Sequence, residues 1–207
     1  MDIIFADPEP GFTNAIDILF AHNPCVRTTN QPIHTLKRDG TAFLASCTVF
    51  LTIDELYDRH IFPYIHLPAQ KKMRDLGICN AIGCPFLPVG SALCIEAIPE
   101  KHTYMICAPT MIYPQDVSGT ENVFHAFMSA LCLLRKRNDA NIRTLVCSAL
   151  CTKDGCMDPV TSAQQMYDAF QVFLHGQSPL QAGFHSDSNV YITSVRPKQP
   201  DLYENYI

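Results

Sequence analysis

Between Ile142 and Phe170 the chain carries the residues best placed to do chemistry. An apolar run, Ile142-Arg143-Thr144-Leu145-Val146-Cys147, reads as a strand. The loop Ser148-Ala149-Leu150-Cys151-Thr152-Lys153-Asp154-Gly155-Cys156-Met157 follows, and then a helix from Asp158. A buried strand that feeds a loop and a helix N-terminus gathers backbone N–H groups and a helix dipole at one spot. In α/β proteins such a spot receives phosphates. A phosphate cradle usually holds several glycines; this loop has Gly155 alone. Consecutive amides of Thr152, Lys153, Asp154 and Gly155 form an anion nest if the turn is tolerated. Lys153 then adds a point charge for a phosphate and Asp154 opposes it. The plainer alternative makes both ordinary turn residues. Cys151 lies near a helix N-terminus and a lysine, which together lower a thiol pKa and favour a nucleophile. A nucleophile needs a base, and sequence does not place His60, His66 or His185 beside it. Among ten cysteines, a chance small-residue substitution is the simpler account. Asp54 is a candidate general base on water, or an acid at a helix N-terminus that suits the dipole.

The elements that must position these residues alternate in type. Asp2 to Ala6 reads as a strand. Phe12, Ala15, Ile16, Leu19 and Phe20 share one helix face, and Cys25 to Thr29 is a short strand. Thr41 to Cys47 is continuously apolar, as a strand buried on both faces must be. Thr52 and Glu55 suggest a capping box for a short helix over Leu56 to His60. Pro68 to Leu76 reads as a helix stopped by Gly77. Strands are expected at Ser91 to Ile98 and Thr103 to Ala108. A second capping box, Ser118 and Glu121, precedes a stripe of Val123, Phe124, Phe127, Met128, Leu131 and Leu134. The last helix has Asp158 as N-cap, Pro159 in its first turn, and Val160, Ala163, Met166, Phe170 and Phe173 as its buried face. The order implies an α/β fold of three layers, α/β/α, on a central mixed sheet. Residues 1–175 read as one domain. Residues 176–207 read as a C-terminal extension, with an edge strand at Asn189 to Val195 and a polar tail that could dock a protein partner.

Composition narrows the function. Of 207 residues, 47% are hydrophobic and 17% charged, and the net charge is −5. That balance argues against a general nucleic-acid binder. The one basic run, Arg135-Lys136-Arg137, falls at a helix end where it suits the dipole. No apolar run reaches membrane-spanning length, and the acidic start, Met1 to Pro8, does not read as a signal peptide. Cys47, Cys94, Cys107, Cys132 and Cys147 sit in apolar contexts as buried thiols do, which points to an intracellular protein, cytoplasmic or nuclear. The spacings of Cys79/Cys84 and Cys147/Cys151/Cys156 lack CxxC pairs, so no metal site is expected.

Three segments together resemble the macro domain, an ADP-ribose-binding α/β module, in the branch whose strand ends in Ala-Pro-Thr-Met. They are Leu87-Pro88-Val89-Gly90-Ser91-Ala92; Tyr104 to Met111 with Ala108-Pro109-Thr110-Met111, followed by Pro114, Val117, Thr120 and Asn122; and the loop with Gly155 and Met157 leading to Ala163-Gln164-Gln165-Met166 and Ala169-Phe170. They span residues 87–174 in the family's order. Leu44 to Thr48 falls where the family has a strand ending in Asn, and Asp54-Glu55-Leu56 where it has Asp-Gly-Gly. The resemblance implies ADP-ribose as ligand, with no further cofactor and no metal. It implies contacts from Thr48, Asp54, Gly90, Ser91, Ala92, Cys151, Thr152, Lys153, Asp154, Gly155 and Cys156. The chain departs from the pattern in several places. Thr48 replaces the ribose-binding Asn; Glu55 and Leu56 replace glycines, as do Ala149, Cys151 and Lys153. No acid stands near Gln31-Pro32-Ile33, where an Asp meets the adenine. Three functions follow: a reader of ADP-ribose or a related nucleotide diphosphate, free or on a modified protein; an interaction protein that has lost the nucleotide; or an ADP-ribosyl hydrolase or ADP-ribose phosphatase using Asp54.

Overall fold

The protein's computed structural model describes residues 1–53, 56–137 and 141–176. Strand β1 (Asp2–Ala6) is followed by α1 (Pro10–Leu19), β2 (Val26–Thr29), a 3-10 turn (Ile33–Leu36) and β3 (Thr41–Thr48). A π-helical turn (Leu56–Ile61) and α2 (His66–Asp75) lead to β4 (Leu93–Ile98) and β5 (Thr103–Met111). Then come α3 (Asn122–Arg137), β6 (Thr144–Cys147) and α4 (Pro159–His175). The sheet order is β2-β1-β6-β3-β5-β4. All pairs are parallel except β4 against β5, so the sheet is mixed with its antiparallel strand at one edge.

Each strand's alternation sorts its side chains to two faces. Ala42 and Leu44 of β3, with Tyr104, Ile106 and Ala108 of β5, face the layer of α1, α3 and α4. Phe43, Ala45 and Cys47, with Met105 and Cys107, face the layer of the 3-10 turn, the π-turn and α2. The architecture is therefore α/β/α, and the apolar runs of β3 and β5 arise because both faces are covered.

Several ends differ from the sequence expectation. Strand β4 begins at Leu93 instead of Ser91. Strand β5 continues past Ala108 through Pro109 to Met111. Its pairing with β4 starts at Cys107, so beyond that point β5 has a strand on one side only, where a proline is tolerated. Helix α3 starts at Asn122, not at a Ser118–Glu121 box. The Ser118 amide donates to Asp116 at 2.8 Å. The cap comes from α4 instead: Gln165 Oε1 accepts from the Phe124 amide at 3.1 Å, and its Nε2 donates to the Thr120 carbonyl at 2.7 Å. Glu55 of the first box lies outside the described residues, and the segment after it is π-helical. Val160, expected inside, is 54% exposed. Phe173 is half-buried beneath the Arg135 guanidinium. The edge strand and tail expected beyond residue 176 lie outside the described residues.

Candidate functional site

Strands β3 and β6 are neighbours, yet their C-terminal connections leave in opposite directions. The chain after β3 packs Tyr57 and Ile61 on the α2 side. The chain after β6 packs Leu150, Cys151 and Met157 on the α4 side. In an open α/β sheet a crevice forms where adjacent connections diverge in this way.

The floor of this switch point is polar. Ser46 Oγ and Thr110 Oγ1 lie 2.6 Å apart. The same two hydroxyls act on the Cys151 thiol and oppose part of the rise that burial gives its pKa. Tyr57, fully buried, donates its hydroxyl to the Leu44 carbonyl at 2.7 Å and lies 3.3 Å from Ser148 Oγ. The sequence reading missed Ser46, Tyr57, Thr110 and Ser148. A signal existed: Ser46 and Thr110 are hydroxyls near the C-terminal ends of otherwise apolar strands, and a buried hydroxyl needs a partner.

The β6–α4 loop is tied at several points. Met157 N–H donates to the Cys151 carbonyl at 2.9 Å, Cys156 N–H to the Lys153 carbonyl at 3.0 Å, and Val117 N–H to the Gly155 carbonyl at 3.0 Å. Gly155 is fixed by contact: a Cβ there would sit 2.6 Å from the Cys151 carbonyl oxygen. Cys151 (φ 62°) and Cys156 (φ 53°) hold left-handed backbone without being glycine, and so does Leu51 (φ 59°) in the loop after β3. Such residues cost roughly 1–2 kcal/mol each and concentrate at functional loops.

The loop's amides matter most. Among the described residues, the N–H groups of Leu150, Cys151, Thr152, Asp154 and Gly155 have no protein acceptor. Leu150, Cys151 and Gly155 are buried, so these donors are costly to leave unpaired. The first turn of α4 is not part of this set: Asp158 Oδ2 accepts from the Thr161 amide at 3.0 Å. That carboxylate already occupies the helix end expected to receive a phosphate. Lys153 and Asp154 are exposed at the loop tip, and Thr152 is half-buried.

The remaining expected contacts are dispersed. Thr48 is buried, and its hydroxyl accepts from the Thr52 amide at 3.1 Å, closing the turn after β3. Gly90 (φ 88°) stands beside His125, and the Ser91 carbonyl accepts from Ser129 Oγ of α3 at 3.0 Å. Ala92 packs on the α3 side of the core. Asp54 lies outside the described residues. Cys151 is not the acidic thiol its position suggested. Burial pushes its pKa up, and the bonds to Thr110 and Ser46 only partly oppose this. No group of three or more His, Cys, Asp and Glu residues able to hold a metal occurs among the described residues. No described helix is long and apolar enough to cross a membrane.

No protein-family model matches this chain, and no curated protein matches it. Solved structures do. The Oceanobacillus iheyensis macrodomain with MES bound is similar at TM-score 0.51 and 15% identity, over 69% of this chain and 73% of that one. A point mutant of the same macrodomain gives TM-score 0.50 and 15% identity, over 68% and 73%. The macrodomain of Mycobacterium tuberculosis DarG gives 0.48 and 15%, over 65% and 83%.

Proposed function

We propose that this chain, which has the macrodomain fold, holds a nucleotide diphosphate of the ADP-ribose class, free or attached to a protein, at the β3–β6 switch point and does not turn it over. The observation that carries this reading is the run of loop amides, Leu150, Cys151, Thr152, Asp154 and Gly155, without an acceptor among the described residues. A diphosphate is the ligand whose oxygens satisfy several backbone donors at once. Lys153, exposed at the tip, adds a cation. A binding role fits Cys151 better than catalysis does, because burial raises its pKa and keeps it a neutral thiol.

A second reading draws on Tyr57. Its ring is buried and its hydroxyl is bonded to the Leu44 carbonyl, so it would take up space that a ligand between the strands needs. On that reading the protein keeps the fold and uses its surface to meet other proteins, including through residues 177–207.

Calorimetric titration with ADP-ribose separates the two. The binding reading expects a saturable heat that weakens about tenfold or more in Thr152→Glu, which sets a carboxylate beside the loop amides. No heat at millimolar ADP-ribose overturns it and leaves the interaction reading. Release of ADP-ribose from a modified protein, lost in Asp54→Ala, would instead establish a hydrolase.

A further inference from the structure

At the opposite end of the sheet, where β3, β5 and β6 begin, the chain builds a second concavity. It has a volume of about 320 Å³ and is lined by Asp39, Gly40, His102, Asn141 and Arg143. Main-chain bonds set its walls. Gly40 N–H donates to the Lys101 carbonyl at 3.0 Å, and the Gly40 carbonyl accepts from the Arg143 amide at 2.9 Å and the Thr144 amide at 3.2 Å. Gly40 has φ +75°, and a Cβ there would meet the Asn141 carbonyl oxygen at 2.6 Å and Arg143 Nε at 2.9 Å. The guanidinium thus lies across a bare Cα. Arg143 Nη2 donates to the Asp39 carbonyl at 3.1 Å, which holds the side chain in place. Its other N–H groups have no acceptor among the described residues.

The surroundings are cationic in a chain of net charge −5. Arg38 and Lys101 directly precede the lining residues Asp39 and His102, and the Thr103 hydroxyl lies within reach of both their carbonyls, at 3.5 and 3.3 Å. Lys101 also lies near enough to Lys37 to lower its pKa, second to the effect of burial. The acids nearby are Asp39, Glu100 and Asp2. Asp2 is already paired with Arg27 at 3.9 Å. Asp39 forms no ion pair with Arg143 among the described residues.

We propose that this cavity binds a phosphate monoester. Arg143 presents its remaining N–H fork to two phosphate oxygens, and His102 supplies a further donor. Arg38 and Lys101 add a field that favours a dianion over a carboxylate. The volume is near the lower end for small-molecule sites, so the organic group on the phosphate is small. The cavity is separate from the β3–β6 switch point, and its occupancy does not depend on the nucleotide reading.

The test is a heteronuclear NMR titration of the full chain, following the Arg143 Nε–H and the Gly40 and His102 amides. The probes are inorganic phosphate and glycerol phosphate, with chloride at matched ionic strength as control. Saturable shifts confined to these groups are expected, with glycerol phosphate acting at lower concentration. Arg143→Gln is expected to weaken binding about tenfold, the loss of charge-assisted hydrogen bonds. His102→Gln, at an exposed position, is expected to weaken it about threefold and serves if Arg143→Gln perturbs folding. Shifts that do not saturate, that chloride reproduces, or that both variants leave unchanged overturn the proposal.

Discussion

Replacing Gly155 by alanine tests whether the β6–α4 loop is held as tightly as its contacts imply. The new Cβ would lie 2.6 Å from the Cys151 carbonyl oxygen, 2.7 Å from its Cβ and 3.0 Å from its Cα. Favourable carbon contacts fall at about 3.5–4 Å, so something must move by roughly half an ångström or more. Neither side can move freely. The Cys151 carbonyl accepts from Met157 N–H at 2.9 Å and the Gly155 carbonyl accepts from Val117 N–H at 3.0 Å. Cys151 is itself buried in the core. Overpacking of this kind costs about 1–3 kcal/mol. Glycine-to-alanine replacement returns about 0.4–1 kcal/mol through the unfolded chain. The net expectation is a loss of about 1–2 kcal/mol, or roughly 2–8 °C in Tm for a chain of this size. Urea unfolding followed by circular dichroism measures it, with two controls. Gly77→Ala meets open space but keeps φ +69°, and left-handed strain costs it about 1 kcal/mol. Gly119→Ala has neither obstacle and is expected to be neutral or slightly stabilising. The order of loss is therefore Gly155, Gly77, Gly119. Gly155→Ala matching Gly119→Ala within about 0.5 kcal/mol would refute the reasoning, because the loop would then be free to relax.

Three further expectations concern the same scaffold. Asp158→Ala removes the carboxylate that caps α4 at Thr161 and is expected to cost about 1 kcal/mol in urea unfolding, while Asp158→Asn keeps most of it. Tyr57→Phe deletes the 2.7 Å bond to the Leu44 carbonyl and leaves that acceptor buried, for a loss of about 1–2 kcal/mol. Burial pushes the Cys107 thiol up to about 12, with a further rise from Cys94, and drives Cys47 and Cys147 well upward as well. A raised folded pKa gives stability that is complete below the unfolded thiol value, about 8.5, and is lost as pH rises above it. Tm should fall between about pH 8.5, the unfolded value, and about 12, the folded value of Cys107, less steeply in Cys107→Ala; equal slopes would show that Cys107 is not the group responsible.

How much of this was legible in the sequence depends on where each restraint comes from. Strand β3 and the start of α4 were legible because their signals are local: a run of apolar residues, and an Asp-Pro pair at a helix entry. The cap of α3 was not, because Gln165 supplies it from another helix, and no window around Asn122 contains that residue. Val160 was misplaced for a related reason: it fits an apolar stripe, yet in the first turn of α4 it is left 54% exposed. The floor of the candidate site was only half legible. Ser46 and Thr110 could be noticed as hydroxyls in apolar strands, but that they meet each other depends on β3 and β5 being parallel neighbours. Tyr57 reaches the Leu44 carbonyl across 13 positions of chain, through a π-turn that no helical periodicity announces.

Glycine counting was the weakest inference from sequence, and the loop shows why. The absence of glycine at Cys151 suggested a lost backbone shape, yet Cys151 holds left-handed φ at 62°, and so does Cys156 at 53°. Tertiary ties impose the shape there, and the strain is borne in the native state. Cys156 is exposed, so its strain can be tested with little change in packing. Asparagine tolerates left-handed backbone and valine does not. Cys156→Asn is expected to stabilise the chain by about 0.5 kcal/mol, and Cys156→Val to destabilise it by about 1–2 kcal/mol. Equal urea midpoints for the two variants would mean that the loop abandons its left-handed turn when pressed. The amides of Leu150, Cys151 and Thr152 would then have no fixed direction in which to meet an anion. A clear separation would mean that the turn persists without glycine, and that differences in ligand affinity from glycine-rich loops must come from side chains at its rim.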